Sequence, residues 1–216
     1  GAVICMIASA RVKTTFNKYS AYRSMSGMTG AQAAERILHA AGIYDVRVQH
    51  VSGNLTDHYN PATLTVNLSR NVYYGSSVAA AAVAAHECGH AVQHAHAYAP
   101  LKMRSSLVPV ISFASNWMMW VLLIGMFTLN VFPQIMLFGI ILFAATTLFS
   151  FITLPVEIDA SRRAVKWLSE AGVTNNRNYG AAVSALRSAA YTYVVAALGS
   201  LATLLYYVMI FLGRRD

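Results

Sequence analysis

Residues 81–98, AAVAAHECGHAVQHAHAY, contain four of the chain's seven histidines. His86, Glu87 and His90 form the pattern HExxH, which follows an alanine-rich stretch typical of a tightly packed helix face. On a helix, residues four apart are separated by about 6 Å along the axis and roughly 40° around it. Two imidazoles so placed can bind one zinc ion, and the adjacent glutamate can act as general base. The alternative is an ordinary helix with polar histidines.

The two later histidines fit this site less well. His94 shares the helix face with His86 but lies two turns away, about 12 Å along the axis. His96 stands where the longer HExxHxxGxxH motif has its third histidine. That motif uses a glycine to turn the chain, and Gln93 occupies its position here. We therefore expect both histidines to lie at a solvated or interfacial helix end.

A catalytic zinc site needs a third protein ligand and one open position. Among the chain's eight carboxylates, three remain once those assigned to other elements are set aside: Asp57, Glu157 and Asp159. The spacing favours Glu157, because Pro155 suits the first turn of a helix that a membrane hairpin would return to the site. The alternative for Glu157 is an N-terminal carboxylate stabilised by the helix dipole.

Three charge-free segments dominate the rest of the chain. Residues 107–129, 131–154 and 190–213 contain no charged side chain. Each exceeds the roughly 20 apolar residues that span a bilayer. Residues 130–134 join the first two segments, and Pro133 suits a helix start. We therefore predict a transmembrane hairpin followed by a C-terminal transmembrane helix.

The positive charge is distributed asymmetrically. Of the sixteen Lys and Arg residues, nine lie in 11–106 and five in 155–189, whereas the predicted hairpin turn has none. The positive-inside rule therefore places both polar segments in the cytoplasm. The net charge of +8 comes with no nucleic-acid-binding motif, so we expect no nucleic-acid partner. Only two cysteines are present, which agrees with a reducing compartment.

The first polar segment carries the signals of a small α+β unit. Thr29 is a predicted helix N-cap, and Gly42 is the corresponding C-terminal stop. Residues 44–51 and 63–69 alternate in polarity like strands. The second of these strands places its apolar side chains on one face: Leu64, Val66 and Leu68.

The chain divides into five predicted parts. They are an N-terminal apolar and basic segment that could end a first transmembrane helix (1–24), a first catalytic segment with the HExxH helix (25–106), the transmembrane hairpin (107–154), a second catalytic segment with the third zinc ligand (155–189), and a C-terminal transmembrane helix and tail (190–216). The predicted fold class is a mainly α membrane protein, whose transmembrane helices carry a small zincin-like α+β catalytic unit with a short β-hairpin.

Five segments spread over nearly the whole chain are distinctive in combination. They are SMSGMTGAQAAERIL, VSGNLTDHYNP, VAAHECGHAVQH, YAPLKMRSSLVPV and LPVEIDASRRAVKWL. With them the chain resembles the YugP-like family of bacterial membrane proteins, which are described as neutral zinc metallopeptidases. That family is similar in active-site pattern to the HtpX-type membrane proteases, whose third zinc ligand begins a Glu-x-x-Ala-Asp sequence.

In this chain the corresponding sequence runs from Glu157 to Ser161. The resemblance therefore implies one zinc ion per chain, with His86, His90 and Glu157 as ligands and Glu87 as general base. Ser161 stands where the pattern has Asp, the residue expected to hydrogen-bond a ligand histidine.

The predicted function is that of a zinc metallopeptidase embedded in the lipid bilayer of a bacterial inner membrane, which hydrolyses peptide bonds of membrane proteins or peptides near the cytoplasmic face. The alternatives are a zinc-binding membrane protein without proteolysis, such as a metal transporter or sensor, and a scaffold that keeps the zinc. Hydrolysis also needs a group that stabilises the oxyanion. The candidates are His58, Arg162, Arg163, Tyr73 and Tyr74. The strand at 63–69 could pair with an extended substrate, or it is an ordinary sheet strand.

Overall fold

Seven helices and three short strands make up the part of the chain that the computed structural model describes, which is residues 2–22, 24, 27–170, 174 and 179–213. In chain order these elements are α1 (Ala2–Ser20), α2 (Gly30–Ala40), β1 (Arg47–Val51), β2 (His58–Asn60), β3 (Thr65–Ser69), α3 (Arg70–Tyr73), α4 (Val78–Ala95), α5 (Ala99–Phe127), α6 (Pro133–Glu170) and α7 (Tyr179–Gly213). The end of the predicted tail, residues 214–216, lies outside the described residues.

Three of these helices are long and apolar enough to cross a membrane, and they contain the three predicted spans. Helices α5, α6 and α7 have 29, 38 and 35 residues, or about 44, 57 and 53 Å at 1.5 Å per residue. Each exceeds the roughly 30 Å of a hydrocarbon core. Many of their large apolar side chains are exposed on the protein, among them Trp117, Phe127 and Leu148. Such exposed apolar surface is what lipid tails would cover.

The hairpin between α5 and α6 packs backbone against backbone near its tip. Helix α6 begins at Pro133, as predicted. A Cβ atom added at Gly125 would lie 2.6 Å from the Cα of Met136, so only glycine permits this approach. Leu122, Met136 and Ile140 form a small core beside it.

The prediction that Pro155 starts a new helix is wrong. Pro155 lies inside α6, which runs without interruption from the hairpin through Glu157 to Glu170. Proline removes one backbone donor and normally ends a helix. Helices that cross membranes tolerate it, because the bilayer offers their backbone no other hydrogen-bond partner and neighbouring groups compensate. The predicted boundaries after residues 106 and 154 therefore fall within α5 and α6, and the five-part division stays a prediction.

The sheet of the α+β unit has the strand order β1-β3-β2. Strand β3 pairs in parallel with β1 and antiparallel with β2. The expected hairpin of 44–51 with 63–69 is therefore wrong, and the hairpin that forms joins β3 to β2, which lies in the stretch between the two predicted strands. Because β3 is central, it offers no free edge to a substrate, so that part of the prediction is wrong. Leu64 has a φ of +51° and precedes the strand, whereas Val66 and Leu68 are fully buried as expected. The likeness to a zincin unit stays a prediction.

Helix α2 has the predicted ends. The Thr29 side chain accepts from Gln32 N (3.3 Å) while Gln32 Oε1 accepts from Thr29 N (3.0 Å), which completes a capping box. Gly42 follows the helix with a φ of +73°, a conformation that favours glycine. The helix packs on the alanine-rich part of α4, where Ala81, Ala84 and Ala85 are buried.

Helix α4 also packs closely against α6. At Gly89, inside the HExxH pattern, an added Cβ would lie 2.9 Å from Ala160 O and 3.0 Å from Ala160 Cα. Helical Gly costs about 1 kcal/mol relative to Ala, so close packing accounts for its presence here. The contact brings the histidines of α4 within reach of Glu157 on α6.

We expect Gly89→Ala to destabilise the protein by about 1–3 kcal/mol through overpacking, in spite of the better helix propensity of alanine. Gly199→Ala is the matched control, because a Cβ at Gly199 on α7 would meet nothing within 4 Å. Thermal unfolding of both variants in detergent checks the expectation. A Gly89→Ala variant at least as stable as Gly199→Ala would contradict it.

Candidate metal centre

The two histidines of the HExxH pattern project from one face of α4. The N-cap of the helix is Ser77, whose hydroxyl accepts from Ala80 N at 3.1 Å. One turn apart, His86 and His90 have ring centroids separated by 4.9 Å. Both Nε2 atoms face the same oxygen, Oε2 of Glu157, at 3.2 Å from His86 and 3.6 Å from His90.

Glu157 is brought to these histidines by α6. Its side chain is only 2% exposed, and one donor atom from each of the three residues lies within 4.8 Å of the others. The sequence had left Asp57 and Asp159 as alternatives. Asp57 accepts from Ser69 N and Oγ, at 2.7 and 3.0 Å, and Asp159 is paired with Arg163 Nε at 2.7 Å. Glu157 is therefore the carboxylate that joins the histidine pair.

The group of His86, His90 and Glu157 fits one zinc ion. In a tetrahedral site with metal–ligand distances of about 2.0–2.1 Å, neighbouring donor atoms stand roughly 3.3 Å apart. The observed separations of 3.2 and 3.6 Å bracket this value. Two imidazoles and one carboxylate are also a typical donor set for catalytic zinc, which keeps a fourth position open.

The far nitrogen of each imidazole has its own partner. His86 Nδ1 lies 3.2 Å from Ser161 Oγ, and His90 Nδ1 lies 3.0 Å from Gln93 Oε1. Gln93 is fully buried and donates through Nε2 to Val156 O (2.8 Å) and to the Asp159 carboxylate (2.9 Å). Because its amide oxygen accepts, His90 Nδ1 carries the proton and Nε2 is left free to bind a metal.

Arg104 of α5 contacts the other oxygen of the same carboxylate. Its Nη1 lies 3.4 Å from Glu157 Oε1, whereas Oε2 faces the imidazoles. The arginine therefore separates the roles of the two oxygens and orients the carboxylate. Helix α5 becomes part of the site through this ion pair.

An open cleft of about 410 Å³ lies in front of these residues. Glu87, which is 8% exposed, lines it beside the histidines. Tyr193 of α7 lines it as well, and its hydroxyl interacts with the Glu157 carboxylate. Thus α4, α5, α6 and α7 each contribute a polar side chain to one cavity.

The charge of the site favours a cation. Glu87 and Glu157 are both buried, and within the described residues Arg104 is the arginine that contacts this pair. Burial lowers the pKa of His90, but its contact with Glu157 and the charge of Glu87 raise it more, so the pKa lies above 6.5. A bound divalent cation would be stabilised by the same negative charge of Glu87 and Glu157.

His94 and His96 do not join the group of His86, His90 and Glu157, as expected, although His94 lines the same cleft. His94 contacts Tyr59, whose pKa is raised to about 12 by burial and by Asp45. The tyrosine hydroxyl therefore stays protonated, and it hydrogen-bonds with His94 Nδ1 at 2.9 Å. His96 caps the helix and bonds Val92 O at 2.8 Å.

Of the predicted oxyanion-stabilising residues, His58 lines the cleft. Arg163 is paired with Asp159, and Tyr73 and Tyr74 pack around His50. Arg162 does not line the cleft among the described residues. Arg162 follows Glu157 by five residues, which turns it about 140° around the helix axis away from that carboxylate.

The sequence analysis missed Gln93 as a ligand partner, and it missed Arg104 and Tyr193 altogether. In the sequence, Gln93 stands out only because it occupies the glycine position of the HExxHxxGxxH motif. Arg104 is the last charged residue before a charge-free run, and Tyr193 lies near the start of another. Both positions mark where a membrane helix enters polar surroundings, a signal that could have singled them out.

Comparison with known proteins now bears on this arrangement. The family described as "Putative neutral zinc metallopeptidase" matches residues 1–212. The chain belongs to this zinc metallopeptidase family. It is also 47% identical over 211 residues to the Bacillus subtilis (strain 168) protein named "Putative membrane protease YugP", covering 97% of this chain and 92% of that relative. No solved structure gives a significant match.

Membership in the zinc metallopeptidase family agrees with the donor set. His86, His90 and Glu157 could hold one metal ion, and zinc is the cofactor of the family. The membrane character in the relative's name agrees with the three long apolar helices.

We expect Gln93→Leu to weaken zinc binding by about 10–100-fold, because loss of an outer-shell partner leaves His90 less well oriented. His94→Leu is the matched control, since His94 is adjacent but contacts Tyr59 instead. Zinc affinity is measured by competition with a chelating dye on the full chain in detergent. Equal affinities of the two variants would show that Gln93 does not orient the ligand.

Proposed function

We propose that this chain is a zinc endopeptidase that cleaves membrane proteins or membrane-bound peptides near the cytoplasmic surface. The observation that carries the proposal is the position of Glu87, which lines an open cleft beside three side chains able to hold zinc. A transporter would require such ligands along a path through the membrane. Here they line an open cleft of about 410 Å³ together with Glu87.

Glu87 is the proposed general base. When bound, zinc polarises the peptide carbonyl and makes water more acidic. Glu87 accepts a proton from the attacking water as its oxygen bonds to the carbonyl carbon. The glutamate then delivers this proton to the amine as the C–N bond breaks, which yields a carboxylic acid and an amine.

Tyr193 is the proposed donor to the oxyanion. His58 is less suitable, because its Nδ1 donates to Thr56 O at 2.7 Å and its Nε2 contacts Asn67 Nδ2 at 3.2 Å. Arg104 is held by Glu157. The Tyr193 hydroxyl can leave the carboxylate and donate to a developing negative charge in the cleft.

Strand β2 is the proposed docking edge for an extended substrate. It pairs with β3 along one edge, and within the described residues its other edge has no strand partner. His58, Tyr59 and the following Pro61 line the cleft. Backbone pairing along this edge would present a peptide to Glu87 with little demand on its sequence.

The helix lengths support a site near the membrane surface. Arg104 precedes the end of α5 by 23 residues, Glu157 follows the start of α6 by 24, and Tyr193 precedes the end of α7 by 20. At 1.5 Å per residue these separations are about 35, 36 and 30 Å. A hydrocarbon core is about 30 Å thick. All three residues would thus lie where their helices leave the lipid.

We expect three variants to separate catalysis from metal binding. Glu87→Gln lowers the cleavage rate by about 10²–10⁴-fold through loss of the base, and Tyr193→Phe lowers kcat by roughly 10²–10³-fold through loss of the oxyanion donor. Both keep zinc, because neither side chain is a proposed ligand. His86→Ala loses zinc and activity together. Cleavage of a membrane-protein substrate and zinc content are measured on the same preparations.

A matched control for these variants is Tyr206→Phe, at an exposed position further along α7. The proposed chemistry is wrong if the wild type cleaves and Glu87→Gln cleaves equally well. Wild-type protein that holds zinc but never cleaves any substrate would indicate a scaffold instead.

We also expect the polar segments to face the cytoplasm. In a Cys5→Ser background, a membrane-impermeant maleimide should label Asn130→Cys in the hairpin turn of intact spheroplasts, whereas Asn54→Cys should react only after lysis. Cys88 can be kept, because it is fully buried and burial, with the charge of Glu87, raises the pKa of its thiol. The opposite labelling pattern would place the active site outside.

A further inference from the structure

A second cavity, of about 190 Å³, adjoins the cleft at the catalytic glutamate. The two cavities share four lining residues, Asp57, His86, Glu87 and Tyr193. A peptide bond placed beside Glu87 would therefore have the opening of this smaller cavity next to it.

The rest of the smaller cavity is apolar. Helix α1 contributes Val12 and Phe16, α4 contributes Val83, and α7 contributes Ala185, Leu186 and Ala189. These side chains come from elements far apart in the sequence, so no local sequence pattern predicts the cavity. Its size exceeds the roughly 150 Å³ of an apolar cavity that binds benzene.

We propose that this cavity receives the side chain of one residue flanking the cleaved bond and selects an apolar side chain up to the size of leucine or phenylalanine. The proposal rests on the peptidase function proposed above and adds a substrate preference to it. Because there is one such cavity beside Glu87 among the described residues, the preference applies to one side of the bond and not to the other.

The polar groups at the rim do not favour a cationic side chain. Both oxygens of Asp57 are engaged by Ser69, at 2.7 and 3.0 Å, and Glu87 is committed to the water. Beyond this rim the cavity lining is apolar, so a lysine or arginine head that enters it would lose its hydration without gaining a polar partner there, which is costly. An apolar side chain has no charge to desolvate, and the burial of its surface in the cavity is favourable.

Two α7 variants test the preference. Ala189→Leu places a larger side chain in the cavity, whereas the matched change Ala190→Leu concerns the next residue, which does not line it. Full-length wild type and both variants are incubated in detergent with zinc and a peptide library, and the cleaved bonds are identified by mass spectrometry. Zinc content and thermal unfolding verify that each variant is folded.

We expect wild type and Ala190→Leu to cut bonds flanked, on one constant side, by Leu, Met or Phe. Ala189→Leu should lose at least about tenfold in kcat/KM for Phe relative to Ala at that position, as small changes of fit in apolar pockets produce 10–200-fold effects. Cleavage without a preference, a preference for Lys or Arg, or an unchanged preference in Ala189→Leu would overturn the inference and leave the proposed function standing.

A second measurement does not depend on turnover. The Glu87→Gln variant is irradiated with a peptide that carries a photoreactive leucine analogue, and the cross-linked residues are mapped. We expect cross-links to α1 and to residues 185–189 of α7, which Ala189→Leu abolishes and Ala190→Leu retains. Cross-links there without any wild-type cleavage would support the cavity and reject the peptidase. Cross-links elsewhere would reject the cavity, whatever the activity.

Discussion

The buried carboxylate of Glu157 is the constraint on which the rest of the site depends. It is 2% exposed, and it lies against His86, His90 and Arg104 from two other helices. A buried charge is tolerated only where partners compensate for the lost hydration. The four side chains must therefore stay in register, and any shift of α4 or α5 relative to α6 would leave a charge unpaired. The polar contacts of Glu157 thus help to fix how these helices meet, in addition to the apolar packing between α4 and α6.

Small residues and continuous helices make that register possible. Gly89 lets α4 approach the backbone of α6 at Ala160. Helix α6 continues through Pro155, so one continuous helix connects the apolar hairpin to Glu157. Arg104, Glu157 and Tyr193 then lie at similar distances from the far ends of three long helices. The membrane segments consequently serve as part of the site's scaffold in addition to anchoring it.

Local patterns were sufficient to predict much of this molecule. The HExxH helix, the N-cap at Thr29, the start of α6 at Pro133 and the apolar spans each follow from neighbouring residues. The parallel pairing of β1 with β3 did not follow, because strand pairing depends on distant partners. The sequence rule for Pro155 failed because a membrane changes what proline does to a helix. Arg104 and Tyr193 were missed because single residues on separate helices form no pattern until the helices assemble.

Gln93 explains why the third ligand comes from a distant helix. In the longer motif a glycine turns the chain after the second histidine, and the following histidine completes the site. Here α4 continues to Ala95, and His96 bonds the backbone of its own helix. A straight helix offers two ligands on one face and no more, since a third would lie too far along the axis. Gln93 instead hydrogen-bonds both His90 and the backbone of α6. The residue at the glycine position of the longer motif therefore also holds α4 against α6, the helix that carries Glu157.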